Sequence, residues 1–189
     1  MGMLVTTRPL SMPNIRPYET IVKEYEKRFA KGRPRAGVLE KYRHLFPESY
    51  KHALSRIGPA EFAPDFIWPS TDDLTQENEH REAPACHLGQ SWWLFATSGS
   101  GDGWLIGPSN EIAFLDHTKE RRAKPIPMGI SFEQWFQLAD LMAQVESVTS
   151  ADASLLDARF RLVPKFRKIL HEQMDALAPG LSKRYPFSL

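Results

Sequence analysis

Cysteine is nearly absent from this chain of 189 residues, which contains only Cys86. A single cysteine cannot form an internal disulfide, so we expect a fold stabilised by its hydrophobic core in a reducing compartment. No apolar run approaches the roughly 20 residues needed to cross a bilayer. The first residues also lack the basic segment and apolar segment of a signal peptide. We therefore expect a cytoplasmic protein with no membrane partner.

The chain has almost no net charge, +1 at pH 7, but its charges are unevenly distributed. Residues 1–43 carry ten Lys/Arg and four Asp/Glu, residues 44–150 seven and fifteen, and residues 151–189 seven and four. Seven carboxylates and one arginine fall between positions 61 and 82. Such a surface repels nucleic acid and attracts basic proteins, although a solvated loop and helix face explains the same pattern.

The sequence lacks the spacing of common ligand-binding motifs. In ATSGSGDGW the glycines are Gly99, Gly101 and Gly103, which is not the G-x-G-x-x-G of a dinucleotide site, and no P-loop lysine follows. The six histidines form no H-x-x-x-H pair, there is no C-x-x-C, and no serine stands in G-x-S-x-G. We therefore predict no metal site and no cofactor. The segment instead predicts a turn in a sheet, formed by Gly101, Asp102 and Gly103, with Asp102 bonding local backbone amides.

Two adjacent pairs, Asp116–His117 and Cys86–His87, have the residue types of a catalytic base or nucleophile. Adjacent residues on a strand point to opposite faces and cannot pair there, although a strand end would remove that objection. We therefore predict that the protein is not an enzyme. The alternative is a hydrolase that uses Asp102, Asp116 and His117, which requires these three side chains to converge.

Hydrophobic periodicity predicts helices toward both ends of the chain and a sheet between them. The expected helices cover 18–32, 38–46, 47–58 and 130–145, with basic helices over 157–180 that Pro164 interrupts. The apolar runs 62–69, 91–97, 104–107 and 112–117 predict an antiparallel meander. We thus expect an α+β fold, a twisted, largely antiparallel sheet of short strands with helices packed against it. Its parts are a flexible arm over 1–17, an α+β domain over 18–148 and a C-terminal helical extension over 149–189 packed on that domain.

The order of several short motifs between residues 38 and 146 resembles that of the SUKH superfamily. The motifs are LFPESY (45–50), Gly101–Asp102–Gly103, Asp116–His117 and SFEQWF (131–136). The turn after the tyrosine helix departs from that family because it contains only Gly58. GAD-like immunity proteins are a second resemblance, carried by the proline–tyrosine helix and PDFIWPSTDDL.

Either resemblance implies an α+β domain without catalytic residues or cofactor. Many SUKH-like proteins are bacterial immunity proteins that bind and neutralise a toxin, often a nuclease, and fungal relatives are scaffolds in cell-wall regulation. The resemblance and the acidic run together predict a non-catalytic immunity protein for a basic nuclease toxin, with a scaffold or regulatory module as the alternative. The residues predicted to bind the partner are Asp65, Asp72, Asp73, Glu77, Glu79 and Glu82, with Trp68 as an aromatic anchor. The oligomeric state stays open, as does whether the tail caps the sheet, dimerises or binds the partner.

Overall fold

A computed structural model describes residues 12–29, 46–81, 92–107, 109–122 and 124–189. Within these ranges the helices are α1 (Tyr18–Phe29), α2 (Glu48–Arg56), α3 (Thr71–Arg81), α4 (Phe132–Ala151), α5 (Pro164–Leu177) and α6 (Leu181–Arg184). The strands are β1 (Ala60–Ala63), β2 (Phe66–Trp68), β3 (Trp93–Thr97), β4 (Gly103–Ile106), β5 (Ile112–Leu115) and β6 (Ile126–Pro127). The predicted α+β class is confirmed. None of the helices in these ranges combines the length and hydropathy of a membrane span.

The strands form one antiparallel sheet in the order β1-β2-β3-β4-β5-β6, which is a simple meander. The run predicted as one strand broken by proline is a hairpin that turns at Pro64 and Asp65. Strand β6 pairs with β5 within a segment expected to be a polar connection. The buried run Trp93–Ala96 explains the continuous apolar pattern of β3, since both of its faces are covered.

Helix α4 organises the hydrophobic core. Its N-terminus has the expected capping box, in which Ser131 accepts from the Gln134 backbone and the Gln134 side chain accepts from the Ser131 backbone. The helix then lays Trp135 on the sheet, with its ring centroid 4.6 Å from Phe95 and 5.5 Å from Phe66. Aromatic pairs at these distances stabilise the fold beyond the contribution of their buried area.

Residues 12–17 lie on α4, which differs from the flexible arm predicted for 1–17. The Asp140 carboxylate is buried, with 1% exposure, and accepts two hydrogen bonds from the Arg16 guanidinium and one from the Tyr25 hydroxyl. The Gln137 side chain also donates to the Arg16 carbonyl at 2.8 Å. A buried carboxylate needs such partners, so these bonds hold residues 12–17 against the domain.

The C-terminal extension also packs on the domain. Phe187 lies 5.3 Å from the Phe114 ring and 6.2 Å from the Trp104 ring. Pro164 occupies the first turn of α5 instead of interrupting a helix. The start of the helix expected over 157–180 is instead part of a hairpin, bridged between Leu156 and Leu162. The tail therefore contacts the sheet, one of the three roles that the sequence left open.

Candidate functional site

The polar residues singled out in the sequence divide between two surfaces. The first, which we term the loop cluster, consists of Asp65, Asp102, Asp116 and His117 at one end of the sheet. Strand pairing brings its loops together, because Gly103 of β4 pairs with Leu115 of β5. The backbone of Gly99 also donates to the Pro64 carbonyl at 2.7 Å.

The turn between β3 and β4 is closed by its own side chains. The Ser98 amide donates to the Asp102 carbonyl at 2.9 Å, and the Asp102 amide donates to Ser98 Oγ at 3.0 Å. Gly101 has a φ of +93°, which favours glycine. At Gly103 packing matters instead, since a Cβ there would lie 2.8 Å from Leu94 Cδ1, which would have to shift.

Asp102 joins this turn to the segment that follows β5. Its Oδ1 accepts from the His117 backbone at 3.0 Å and lies 2.8 Å from His117 Nδ1. Its Oδ2 accepts from Ser100 Oγ at 2.8 Å and from Ser98 Oγ at 3.2 Å. Burial raises the pKa of Asp102, but these hydrogen bonds outweigh it and hold the pKa below its ordinary value. Because a carboxylate only accepts, the imidazole hydrogen stands on Nδ1, and Nε2 is the remaining acceptor on a side chain 48% exposed.

Asp116 and His117 do not pair with each other, although both lie beyond Leu115, the last residue of β5, where the strand objection no longer applies. Asp116 Oδ1 instead accepts from the Thr118 amide at 2.9 Å and hydroxyl at 2.6 Å, and its Oδ2 lies 3.2 Å from Lys119 Nζ. Hydrogen bonds from Thr118 and the charge of Lys119 lower the pKa of Asp116. Nevertheless Asp102, Asp116 and His117 each place one ligand atom within 4.8 Å of the others. The structure therefore meets the convergence that the hydrolase alternative requires.

The chemistry open to this group is that of a general base. A carboxylate that orients an imidazole leaves Nε2 free to accept a proton from water or a hydroxyl. The nearby hydroxyls of Ser98 and Ser100 donate to Asp102 instead of to the imidazole, so they are not aligned as nucleophiles. A cation bound through Asp102 Oδ1 and Asp116 Oδ2 would have to displace His117 from the first carboxylate and Lys119 from the second.

Asp65 belongs to the loop cluster and is set apart from the other predicted partner-binding carboxylates. It is half-buried in the β1–β2 turn, where its carbonyl accepts from Trp104 Nε1 at 2.8 Å. No group in the described ranges donates a hydrogen bond to its carboxylate. Burial, and then the charge of Asp102, raise the pKa of Asp65 to about 6.

The second surface is the acidic face of α3, which consists of Asp72, Asp73, Glu77 and Glu79, all exposed. The other side of α3 is anchored, since Leu74 and Asn78 are buried. The Asn78 amide nitrogen donates to the Leu94 carbonyl at 2.8 Å, and its oxygen accepts from the Leu94 amide at 2.8 Å. Asn78 thus pairs with β3 as a strand would, and fixes the orientation of the helix.

Only part of the acidic face is explained by the stability of the helix. Asp72 and Asp73 lie in the first turn, where negative charge is favourable, and Ser70 caps that turn by accepting from the Asp73 amide at 3.2 Å. Glu77 and Glu79 lie beyond that turn, and no ion pair among the side chains that the structure describes involves either of them. Glu77 stands four residues after Asp73, an unfavourable like-charge spacing, and four residues before Arg81, a favourable one. Glu77 and Glu79 are therefore exposed carboxylates that the described contacts of the fold do not use.

The prediction that Trp68 is an aromatic anchor is wrong. Trp68 is 1% exposed and packs 5.6 Å from the Tyr50 ring and 5.9 Å from the Phe132 ring. A side chain enclosed by the core cannot contact a partner. Glu82 and the pair Cys86–His87 lie outside the described residues, so their predicted roles have no structural description.

Sequence reasoning missed Ser98 and Ser100 as partners of Asp102, and it did not pair Asp102 with His117. The signal was present in the S-x-S-x-D spacing and in the short hairpin between β4 and β5. No protein-family model, no curated protein and no solved structure matches the chain. The resemblance to SUKH-like proteins accordingly stays a prediction.

Proposed function

We propose that this is a non-catalytic immunity protein that binds a basic toxin domain in the cytoplasm through the acidic face of α3. The observation that carries the proposal is the set of four exposed carboxylates on one anchored helix. Two of them, Glu77 and Glu79, make no ion pair within the described ranges. Exposed carboxylates on a helix that is fixed to the sheet are available to a basic partner.

The physical argument concerns both recognition and inhibition. Nucleases bind nucleic acid mainly through contacts to phosphate, so their active surfaces are basic. A row of carboxylates on a helix resembles that polyanion, accelerates the encounter and covers the same surface. Because Asn78 and Leu74 hold α3 against the sheet, little order has to be gained on binding. The order of SUKH-like motifs supports the same function independently.

The test is rescue of growth in cells that express a toxic domain encoded beside this gene. We expect the wild-type chain to restore growth and to form a complex that co-elutes with the toxin. The double variant Glu77→Lys/Glu79→Lys should lose both properties. The control Glu61→Lys/Glu146→Lys makes the same change in net charge at exposed positions elsewhere and should keep both.

Equal rescue by the Glu77→Lys/Glu79→Lys variant would show that this face does not bind the toxin. Complex formation with a non-toxic protein, lost in the same variant, would favour the scaffold alternative. Circular dichroism and thermal denaturation of both double variants are needed to show that each is folded.

A second function is favoured by the contact of 2.8 Å between Asp102 and His117. In this alternative His117 acts as a general base on water, with Asp102 as its positioning residue. We rank it second because the same contacts already complete the hydrogen bonding of the two loops. Release of p-nitrophenol from p-nitrophenyl acetate and p-nitrophenyl phosphate tests it. Hydrolysis above background that His117→Gln abolishes, and that Ser100→Ala leaves intact, would establish the enzyme.

A further inference from the structure

A short hairpin between α4 and α5 presents an exposed aromatic side chain between two arginines. Leu156 and Leu162 close the hairpin by an antiparallel bridge. Asp157 organises its turn, since its Oδ1 accepts from the Arg159 amide at 2.8 Å and the Arg161 amide at 3.0 Å. We define Arg159, Phe160 and Arg161 as the basic tip.

Phe160 occupies a left-handed position in the turn of this hairpin, where its amide donates to the Asp157 carbonyl at 2.9 Å. Its side chain is 86% exposed, against 46% for Met12 and 40% for Ile126, the other exposed large hydrophobic residues in the described ranges. Its φ is +58°, in the left-handed region that bulky residues rarely adopt. A strained, solvent-exposed aromatic is unfavourable to the isolated chain, and such strain is typical of binding residues.

The surroundings of Phe160 are basic. Residues 157–168 contain five Lys/Arg and one Asp, and Arg161 forms an ion pair with that aspartate at 3.2 Å. Lys165, Arg167 and Lys168 lie near the start of α5, where positive charge is unfavourable to the helix. The basic tip therefore suits a partner that offers carboxylates around an apolar contact, and aromatic and arginine side chains are enriched in protein–protein interfaces.

The structure itself contains a surface of complementary charge, the acidic face of α3. No hydrogen bond or ion pair in the described ranges joins the basic tip to α3 within one copy. The net charge of the chain is +1, so two copies scarcely repel each other. With this net charge the chain as a whole has little attraction for a nucleic acid or an anionic membrane. We propose that the basic tip of one copy docks on the acidic face of α3 in a second copy.

This contact joins two different surfaces, so it is heterologous. Each copy keeps one unused tip and one unused acidic face, and association continues into a ring or a chain unless one surface is removed. The proposal does not depend on a toxin partner. It does predict that self-association and binding of any partner at the acidic face exclude each other.

Sedimentation velocity over two orders of magnitude of protein concentration tests the proposal. We expect the wild-type chain to associate as its concentration rises and to dissociate as salt is added, because exposed charges are screened. Phe160→Gly and Arg159→Glu should each be monomeric. Phe160→Gly should become monomeric without a loss of Tm, since glycine tolerates the positive φ. Ile126→Ser, at another exposed apolar position, should associate like the wild type.

The decisive experiment mixes two variants that each keep one of the two surfaces. Phe160→Gly retains its acidic face, and Glu77→Lys/Glu79→Lys retains its tip, so the two should be monomeric alone and form only a 1:1 dimer together. A wild-type chain that stays monomeric at every concentration in low salt overturns the proposal, as does a mixture that does not dimerise. Phe160-dependent binding of a monomeric chain to phosphatidylglycerol vesicles or to single-stranded DNA overturns it in favour of another partner. Phe160→Gly should still protect cells from the toxin, because only self-association requires the basic tip. This result distinguishes a failure of the present proposal from a failure of the proposed function.

Discussion

The carboxylate of Asp65 is predicted to make the fold less stable as the pH rises from about 4 to about 6. Its pKa lies near 6 in the folded chain, against 3.8 for the ordinary group, because it is half-buried and faces the charge of Asp102. A raised folded-state pKa means that the folded chain binds the proton more tightly than the unfolded chain. The stabilisation is complete below about pH 4 and is lost as the pH rises through the folded-state pKa.

The magnitude follows from the size of that rise. About two pKa units correspond to about 3 kcal/mol for a group removed from water. Asp65 is only half-buried, so solvent screening reduces this to about 1 kcal/mol. The neutral isostere Asp65→Asn should therefore be more stable than the wild type by about 1 kcal/mol above pH 7 and about equally stable at pH 4. In a chain of this length that difference raises Tm by about 2–4 °C.

Urea denaturation of the wild type and Asp65→Asn between pH 4 and pH 8 measures the effect. Glu61→Gln, on the neighbouring strand and exposed, is the matched control and should show no comparable gain at high pH. The gain should also shrink in an Asp102→Asn background, because the charge of Asp102 contributes to the raised pKa. A stability difference that is the same at pH 4 and pH 8, or a destabilised Asp65→Asn at pH 8, would refute the reasoning.

Three further substitutions test contacts that hold segments of the fold together. Asp140→Ala removes the buried acceptor of Arg16 and Tyr25, whereas Arg16 keeps its ion pair with Glu24. We therefore expect a loss of about 1–3 kcal/mol by urea denaturation and faster proteolysis within residues 12–17. An unchanged cleavage rate would contradict the docking. Asn78→Ala removes the partner of the Leu94 amide and carbonyl, so we expect a loss of stability of about 2–3 kcal/mol. Hydrogen exchange at the Leu94 amide should also become faster. An unaltered exchange rate would argue against the pairing. Gly103→Ala inserts a Cβ 2.8 Å from Leu94 Cδ1 and should lower stability by about 1–2 kcal/mol. An unchanged Tm would show that the Leu94 side chain moves aside freely.

The parts of the fold that the sequence predicts are those set by local contacts. The capping box at Ser131 and Gln134 lies within one helical turn, and the structure contains it. The meander of β3, β4 and β5 follows from apolar runs separated by short glycine-containing breaks. In both cases the deciding interactions join residues close in sequence, so periodicity and turn chemistry suffice.

The failures share a different cause, since they depend on contacts between distant segments. Trp68 lies within the acidic run at positions 61–82, which suggests an accessible side chain, but Phe132 and Trp135 of α4 enclose it. The pairing of Asp102 with His117 depends on the register in which Gly103 lies opposite Leu115. Once that register is known, the residue before Gly103 and the segment after Leu115 must be neighbours. Local sequence patterns do not specify this register, so they point to the adjacent pair Asp116–His117 and not to Asp102 and His117.

The fold separates residues that serve its own stability from residues that do not. Asp102 and His117 complete the hydrogen bonding of two loops, and a structural role accounts for every contact that the carboxylate makes. Glu77, Glu79 and Phe160 differ, because no ion pair among the described side chains involves the two carboxylates and an aromatic side chain projects from a turn at positive φ. Features that reduce the stability of an isolated chain are expected where a partner restores the balance. This contrast is the physical reason to place function in binding at the surfaces before catalysis at the loop cluster.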